Sequence, residues 1–183
     1  MQRWVEQALG RAAIREMLPI LEGDAPDIPV FYGRVHELGQ LKNWVVGQRC
    51  RVIALLGMGG MGKTTLTAQL ARQCSEQFDF VIWRSLLNAP LLRDLLDQWL
   101  RILSHQQMAQ MPAGLDGQLN LLFGYLRQQR CLLILDNVES IMQEGERAGY
   151  YRAGYEEYGQ LLLRLGQSDH QSCLLLTSRE QPR

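Results

Sequence analysis

Three features that would place the chain in other protein classes are missing from its sequence. No apolar run among the 183 residues is long enough for a signal peptide or a membrane-spanning helix. Nor is there a basic surplus of the kind typical of proteins that bind nucleic-acid backbones, because 19 Lys and Arg balance 19 Asp and Glu. The four cysteines form no C-x-x-C pair, which disfavours a metal site. We therefore expect a cytoplasmic protein with no membrane or nucleic-acid partner.

Lysine is also scarce, and one of the two lysines, Lys42 and Lys63, lies in a glycine-rich stretch. That stretch, GMGGMGKT at 57–64, matches the phosphate-binding loop pattern G-x-x-x-x-G-K-[ST], and an apolar run at 52–56 precedes it. Glycines let backbone N–H groups surround a phosphate, the lysine reaches the β- and γ-phosphates, and the Thr64 hydroxyl is placed for Mg²⁺. The residues predicted to bind nucleotide here are Gly57, Met58, Gly59, Gly60, Met61, Gly62, Lys63, Thr64 and Thr65.

Strand-like and helix-like patterns alternate along most of the chain. Short apolar runs predict strands at 51–56, 80–84, 131–135 and 172–176. Helical periodicity predicts helices at 35–47, 62–75, 91–103, 117–129 and 155–166, and a further helix at 3–18 before a proline-rich linker. Such alternation predicts an α/β fold of three layers, in which a parallel sheet is covered by helices on both faces.

Two further strand ends carry residues that suit a nucleotide site. Asp136 follows the 131–135 strand and is predicted to hold Mg²⁺ together with Thr64. The next residue is Asn137, whose amide cannot take a proton from water, and Glu139 is a possible substitute. Arg179 follows the last strand and would contact the γ-phosphate if that strand lies between the first and third. We expect the site to bind ATP or ADP. Lys63, Asp136 and Arg179 are the candidate catalytic residues, and we expect hydrolysis to be slow or negligible.

Five blocks of sequence, in this order, resemble one family. They are VFYGRVHEL (30–38), GMGGMGKTT (57–65), FDFVIWRSL (78–86), CLLILDNVE (131–139) and SCLLLTSRE (172–180). They resemble the NB-ARC domain of the STAND group of signal-transduction ATPases, and most of all its cyanobacterial members, which often carry WD or tetratricopeptide repeats. The resemblance implies an NB-ARC-like P-loop domain at 24–183 after an N-terminal helix and linker at 1–23. It also implies a P-loop NTPase core of the additional-strand type.

The resemblance also implies roles for residues that the pattern alone leaves unassigned. Tyr32, Gly33 and Arg34 correspond to a loop that lies over the adenine in this family, and Arg179 corresponds to the arginine that reads the γ-phosphate. The family's strand order would place the four strands as 1-4-3-2. Its fifth edge strand, its helical domain and its winged helix would be missing if the chain stops at Arg183. Asn137 departs from the family, which commonly has a second aspartate there.

Two consequences follow for partners. Without the fifth strand, the 51–56 strand becomes an exposed edge of the sheet. Such an edge favours pairing with another copy of the chain, which would form a homo-oligomer. The downstream domains of a full-length protein are the other expected partners, beside an adenine nucleotide.

Other functions fit the sequence less well. A GTPase would need a lysine after Lys63 in its guanine-binding motif, and the sequence has none. A small-molecule kinase would need lid arginines such as Arg147 and Arg152. A scaffold that binds nucleotide poorly also stays open. The tyrosine- and glycine-rich segment 145–159 is either a partner surface or a loop that packs on its own domain.

Overall fold

The computed structural model describes residues 22–28, 31–108, 110–145 and 148–182. The helix expected at 3–18 lies outside the described residues. Within them, five parallel strands form one sheet in the order β1-β3-β4-β5-β2. The strands are β1 (Glu22–Gly23), β2 (Val52–Leu56), β3 (Phe80–Ser85), β4 (Cys131–Asp136) and β5 (Cys173–Ser178). The order predicted for the four longer strands is therefore confirmed.

Five α-helices of the described residues flank this sheet. They are α1 (Val35–Lys42), which continues into a π-helical turn (Asn43–Gly47), α2 (Lys63–Cys74), α3 (Leu92–Leu103), α4 (Leu115–Gln128) and α5 (Glu157–Gln167). Each corresponds to a helix predicted from periodicity, with bounds that differ by a few residues. The two-residue strand β1 was not predicted, because the sequence shows there only an extended, proline-rich segment.

One apolar cluster lies on each face of the sheet. Both faces of the central strands are therefore apolar. In β4, Leu133 and Leu135 pack with α3, α4 and α5, whereas Leu132 and Ile134 pack with α1 and α2. Every residue of β4 and of β5 is buried. This arrangement confirms the three-layer α/β fold, since strands covered on both faces need continuous apolar sequence.

The cysteines belong to these clusters and not to a reactive site. Cys74, Cys131 and Cys173 are buried, and all four cysteines are free thiols. Burial raises the pKa of the Cys131 and Cys173 thiols to about 12, so both stay protonated and unreactive at neutral pH.

The tyrosine-rich segment, described from residue 148 onward, packs on its own domain. Tyr155 donates a hydrogen bond from its hydroxyl to the Ala89 carbonyl (2.7 Å), and Tyr158 donates one to the Pro90 carbonyl (2.9 Å). Tyr151 forms an antiparallel bridge with Met142. These contacts favour the packing interpretation of the segment over a free partner surface for the three tyrosines.

Strand β2 lies at the edge of the sheet, with β5 as its single neighbour among the described residues. The ladder is parallel, and the Gly57 N–H donates to Ser178 O while the Leu174 N–H donates to Arg51 O. Because hydrogen bonding alternates along a strand, the N–H groups of Val52, Ala54 and Leu56 point away from β5. The outer side of β2 therefore offers a row of donors and acceptors for another strand.

We expect this edge to support self-association through strand pairing. Ala54→Pro removes an outward N–H and should abolish concentration-dependent dimers in analytical ultracentrifugation, while the melting temperature changes little. The matched variant Leu55→Pro removes an N–H that faces β5 and should lower the melting temperature clearly. A wild-type chain that stays monomeric at every concentration, or dimers that persist in Ala54→Pro, would contradict this expectation.

Candidate functional site

The glycine-rich loop connects the end of β2 to the start of α2. Gly60 and Gly62 have φ values of 78° and 75°, in the left-handed region that glycine adopts without strain. Lys63 folds back over the loop, and its Nζ donates to the Gly57 carbonyl (2.6 Å) and the Met58 carbonyl (3.1 Å). The loop therefore forms a closed turn around the ammonium group. Since the first N–H groups of a helix have no intrahelical acceptor, α2 also presents donors to an anion at this point.

Asp136 lies at the carboxyl end of β4 and holds two hydroxyl groups. The Thr64 Oγ1 lies 3.0 and 3.1 Å from the two carboxylate oxygens and donates to them. The Thr177 hydroxyl, from the neighbouring strand β5, donates to Oδ1 and accepts the backbone N–H of Asn137 (3.1 Å). Only 4% of Asp136 is exposed, so these bonds fix the carboxylate in place.

Sequence reasoning missed Thr177, although a signal for it exists. It is a hydroxyl residue within the apolar run of β5, where all six positions are buried. A buried hydroxyl needs a hydrogen-bond partner, and the parallel ladder brings β5 next to the strand that ends in Asp136.

Thr64 and Asp136 are suitable ligands for magnesium. Both supply hard oxygen atoms, and they already lie within hydrogen-bonding distance of each other. Among the described residues, no group of three or more His, Cys, Asp and Glu side chains could hold a metal. A magnesium ion here would thus share its coordination with phosphate oxygens and water, which is how Mg²⁺ is commonly bound at nucleotide sites.

A cleft of about 300 Å³ opens beside the loop. Its lining consists of Gly59, Gly60, Gly62, Lys63, Thr64, Thr65, Asn137, Glu139 and Arg179. The structure thus brings together the phosphate-binding loop, the residue after Asp136 and the arginine after β5. All strands of a parallel sheet run in the same direction, so their carboxyl ends lie on the same side. The three segments come together because each of them follows the carboxyl end of a strand.

The remaining predicted nucleotide-binding residues do not line this cleft. Met58 and Met61 are exposed at 78% and 49%, and Gly57 lies behind the loop, bonded to β5. Tyr32 is 88% exposed, and Gly33 and Arg34 lead into α1 with φ values of 72° and 52°. The adenine-covering role of the 32–34 loop stays a prediction.

Two of the residues that line the cleft form an ion pair. The Nε of Arg179 lies 3.1 Å from Oε1 of Glu139, and the backbone N–H of Arg179 points to Oε2 at 3.3 Å. The Glu139 side chain is only 18% exposed, whereas the Arg179 side chain is 63% exposed. The guanidinium also lies against the phosphate-binding loop. A Cβ atom added to Gly59 would lie only 3.4 Å from it. Sequence reasoning named both residues but not their pairing.

The lid expected of a small-molecule kinase is not found at Arg152. Its guanidinium donates to the Ser140 carbonyl (2.8 Å) and lies over the Tyr155 ring, away from the lining of the cleft. Arg147, the other arginine considered for such a lid, lies outside the described residues.

The family model for the NB-ARC domain matches residues 34–149, which is more than half of the chain and includes both Lys63 and Asp136. The chain belongs to the NB-ARC family. Together with its geometry, this membership makes it a nucleotide-binding domain of the P-loop ATPase type. The matched region ends before β5, so Thr177 and Arg179 are assigned to the site by the geometry and not by the family model.

Two curated relatives of this chain are much longer than it is. It is 50% identical over 168 residues to the uncharacterized WD repeat-containing protein alr2800 of Nostoc sp., covering 87% of the chain and 13% of the relative. It is 29% identical over 94 residues to the disease resistance protein RPM1 of Arabidopsis thaliana, covering 48% of the chain and 10% of the relative. The chain therefore spans about an eighth or less of the length of these relatives.

A solved structure has the same fold. Cdc6p from Pyrobaculum aerophilum superposes with a TM-score of 0.61 at 19% identity, over 87% of this chain and 41% of that chain. This likeness supports the P-loop ATPase fold alone. Within the described part of the chain, no helix combines the length and apolarity that crossing a membrane requires.

Proposed function

We propose that this NB-ARC domain is an ATP/ADP-dependent regulatory switch whose own hydrolysis is slow or negligible. The observation that carries the proposal is the convergence of Lys63, Thr64 and Arg179 on one cleft. Lys63 and Thr64 suit a phosphate and its magnesium ion, and a diphosphate satisfies both. Arg179 adds a guanidinium to the same lining, and a contact of this group with the third phosphate would distinguish ATP from ADP.

Each side chain has a role that its contacts support. Lys63 exchanges the carbonyls of Gly57 and Met58 for phosphate oxygens, which carry more negative charge. Asp136 fixes the Thr64 hydroxyl, and the two would hold magnesium, which neutralises phosphate charge when bound. Thr177 is a positioning residue, since it contacts the carboxylate of Asp136 and the backbone of Asn137.

Slow hydrolysis follows from the groups that face the cleft. An attacking water needs a proton acceptor in position, and the Asn137 amide cannot accept a proton at neutral pH. The Glu139 carboxylate lies two residues farther along, and its Oε2 faces the backbone N–H of Arg179, a contact that a bound nucleotide would leave in place. A domain with this arrangement keeps its nucleotide long enough to serve as a signalling state.

The partners of the switch belong to the larger protein and to other copies of the chain. The WD-repeat relative supports downstream repeat domains, and the exposed edge of β2 supports a homo-oligomer. We place the protein in the cytoplasm, where ATP and magnesium are abundant. Signal transduction through exchange of ADP for ATP is the activity that these parts would serve together.

Calorimetric titration with MgATP, MgADP and MgGTP tests the proposal. We expect both adenine nucleotides to bind at one site. With the 32–34 loop covering the base as predicted, GTP should bind about tenfold more weakly, since one hydrogen bond contributes about 0.5–1.5 kcal/mol. A titration that detects neither adenine nucleotide, or one in which GTP binds equally well, would contradict it. Filling the cleft should also raise the melting temperature as nucleotide concentration rises.

A further inference from the structure

We propose that Glu139 determines nucleotide specificity by competing with the γ-phosphate for Arg179, which biases the domain toward ADP. The inference rests on the proposed function and concerns the ratio of the ATP and ADP affinities. Arg179 then has two anionic partners, Glu139 and the γ-phosphate, and its guanidinium can pair fully with only one of them at a time. Binding of ATP then requires Arg179 to leave Glu139, whereas binding of ADP does not.

The geometry makes Glu139 a strong competitor. Its carboxylate meets Arg179 through two separate donors, the Nε of the side chain and the backbone N–H. The carboxylate is mostly shielded from water, whereas the guanidinium is largely exposed, so water screens this ion pair mainly from the side of the arginine. The carboxylate is also well held, because the 3₁₀ turn Val138–Ile141 that carries Glu139 follows β4 directly and buries Val138 and Ile141.

Arg179 has the freedom that the exchange requires. Its side chain is 63% exposed and already lies against Gly59 in the phosphate-binding loop. A rotation about its side-chain torsions can therefore redirect the guanidinium from Glu139 toward the loop without moving β5. Its backbone N–H can stay bonded to Glu139 throughout, so the exchange needs no change in the strand.

The alternative to competition is that Glu139 orients Arg179 for the phosphate. The two roles predict opposite changes in the ATP-to-ADP affinity ratio when the charge of Glu139 is removed. Removing the charge of a competitor releases the arginine and favours ATP, whereas removing an orienting partner disfavours ATP. Direct repulsion between Glu139 and the γ-phosphate would also favour ATP, but it would do so whether or not Arg179 is present. A double-mutant cycle separates these possibilities.

The experiment measures the affinities for MgATP and MgADP by calorimetry in five proteins. They are the wild type, Glu139→Gln, Arg179→Ala, the double variant and Glu180→Gln. We expect Glu139→Gln to raise the ATP-to-ADP affinity ratio about fivefold to tenfold, because a neutral amide holds the guanidinium less strongly than a carboxylate does. Arg179→Ala should lower the ratio below the wild-type value, and the double variant should match Arg179→Ala.

Glu180→Gln is the matched control because it removes a carboxylate from the adjacent position. The Glu180 side chain accepts the Gly149 N–H (3.1 Å) and does not line the cleft, so its replacement should leave the ratio unchanged. Should Glu139→Gln fold poorly, Glu139→Ala provides the same comparison, with the fold of each variant verified by circular dichroism.

Three results would overturn the competition. They are a ratio in Glu139→Gln that is unchanged, a ratio that falls, and a rise of equal size with and without Arg179. None of these results bears on whether the cleft binds nucleotide, which is tested separately by Lys63→Ala. If Lys63→Ala weakens both nucleotides while Glu139→Gln leaves the ratio unchanged, the proposed function stands and the competition fails.

Discussion

Replacing Lys63 with alanine is expected to lower the affinities for ATP and ADP by about tenfold to a hundredfold, or about 1.4–2.7 kcal/mol. The Lys63 ammonium is the cation that folds over the phosphate-binding loop, within 2.6 and 3.1 Å of two loop carbonyls. A phosphate oxygen that replaces those carbonyls forms a charge-assisted hydrogen bond, and one such bond contributes about 1.5–3 kcal/mol. Titration calorimetry with each nucleotide measures the loss directly.

Lys42→Ala is the natural control, because Lys42 is the other lysine of the chain. It is exposed in the last turn of α1 and does not line the cleft, so its removal should leave both affinities unchanged. Equal affinities in Lys63→Ala and the wild type would mean that nucleotide does not bind through this loop. That result would leave the scaffold interpretation of the chain.

Asp136→Asn is expected to remove most of the magnesium dependence of ATP binding. In the wild type, we expect magnesium to strengthen ATP binding, because Thr64 and Asp136 together supply oxygen ligands beside the phosphates. The amide lacks the charge that attracts the ion, so the affinity measured with magnesium should fall at least about tenfold, toward the value with a chelator. The measurement is the ratio of ATP affinities with magnesium chloride and with EDTA.

The variant should stay folded, which makes the binding result interpretable. The amide oxygen can still accept the hydroxyls of Thr64 and Thr177, so the loss of stability should be about 1–2 kcal/mol. Asp169→Asn serves as the control, since Asp169 is 99% exposed and pairs with Arg51. An unchanged magnesium effect in Asp136→Asn would show that the ion is held by other groups.

The parts of this molecule that could be predicted from sequence are those fixed by neighbours along the chain. Continuous apolar runs such as the one at 131–135 predict buried strands, and four of them interrupted by helices predict a parallel sheet. The loop around Lys63 was predictable for the same reason, because its glycines, its lysine and its flanking strand and helix are contiguous. The structure placed these elements where the patterns indicated.

The unpredicted parts depend on contacts between distant segments. Glu139 and Arg179 are 40 residues apart, and only the ladder that joins β4 to β5 makes them neighbours. The bond between Thr177 and Asp136 has the same origin. Strand β1 has two residues, too few for any alternation of apolar and polar positions to be visible.

The position of β2 has a consequence for how the domain opens. The strand that leads into the phosphate-binding loop is held by one hydrogen-bonded ladder, whereas β4 is held by two. Local unfolding therefore costs less at the strand on which the ligand loop depends than at the central strands. A nucleotide that joined this loop to Arg179 at the end of β5 would fasten this edge strand to its neighbour. Nucleotide binding in the cleft would then make the unfolding of the sheet more cooperative, in addition to ordering the loop.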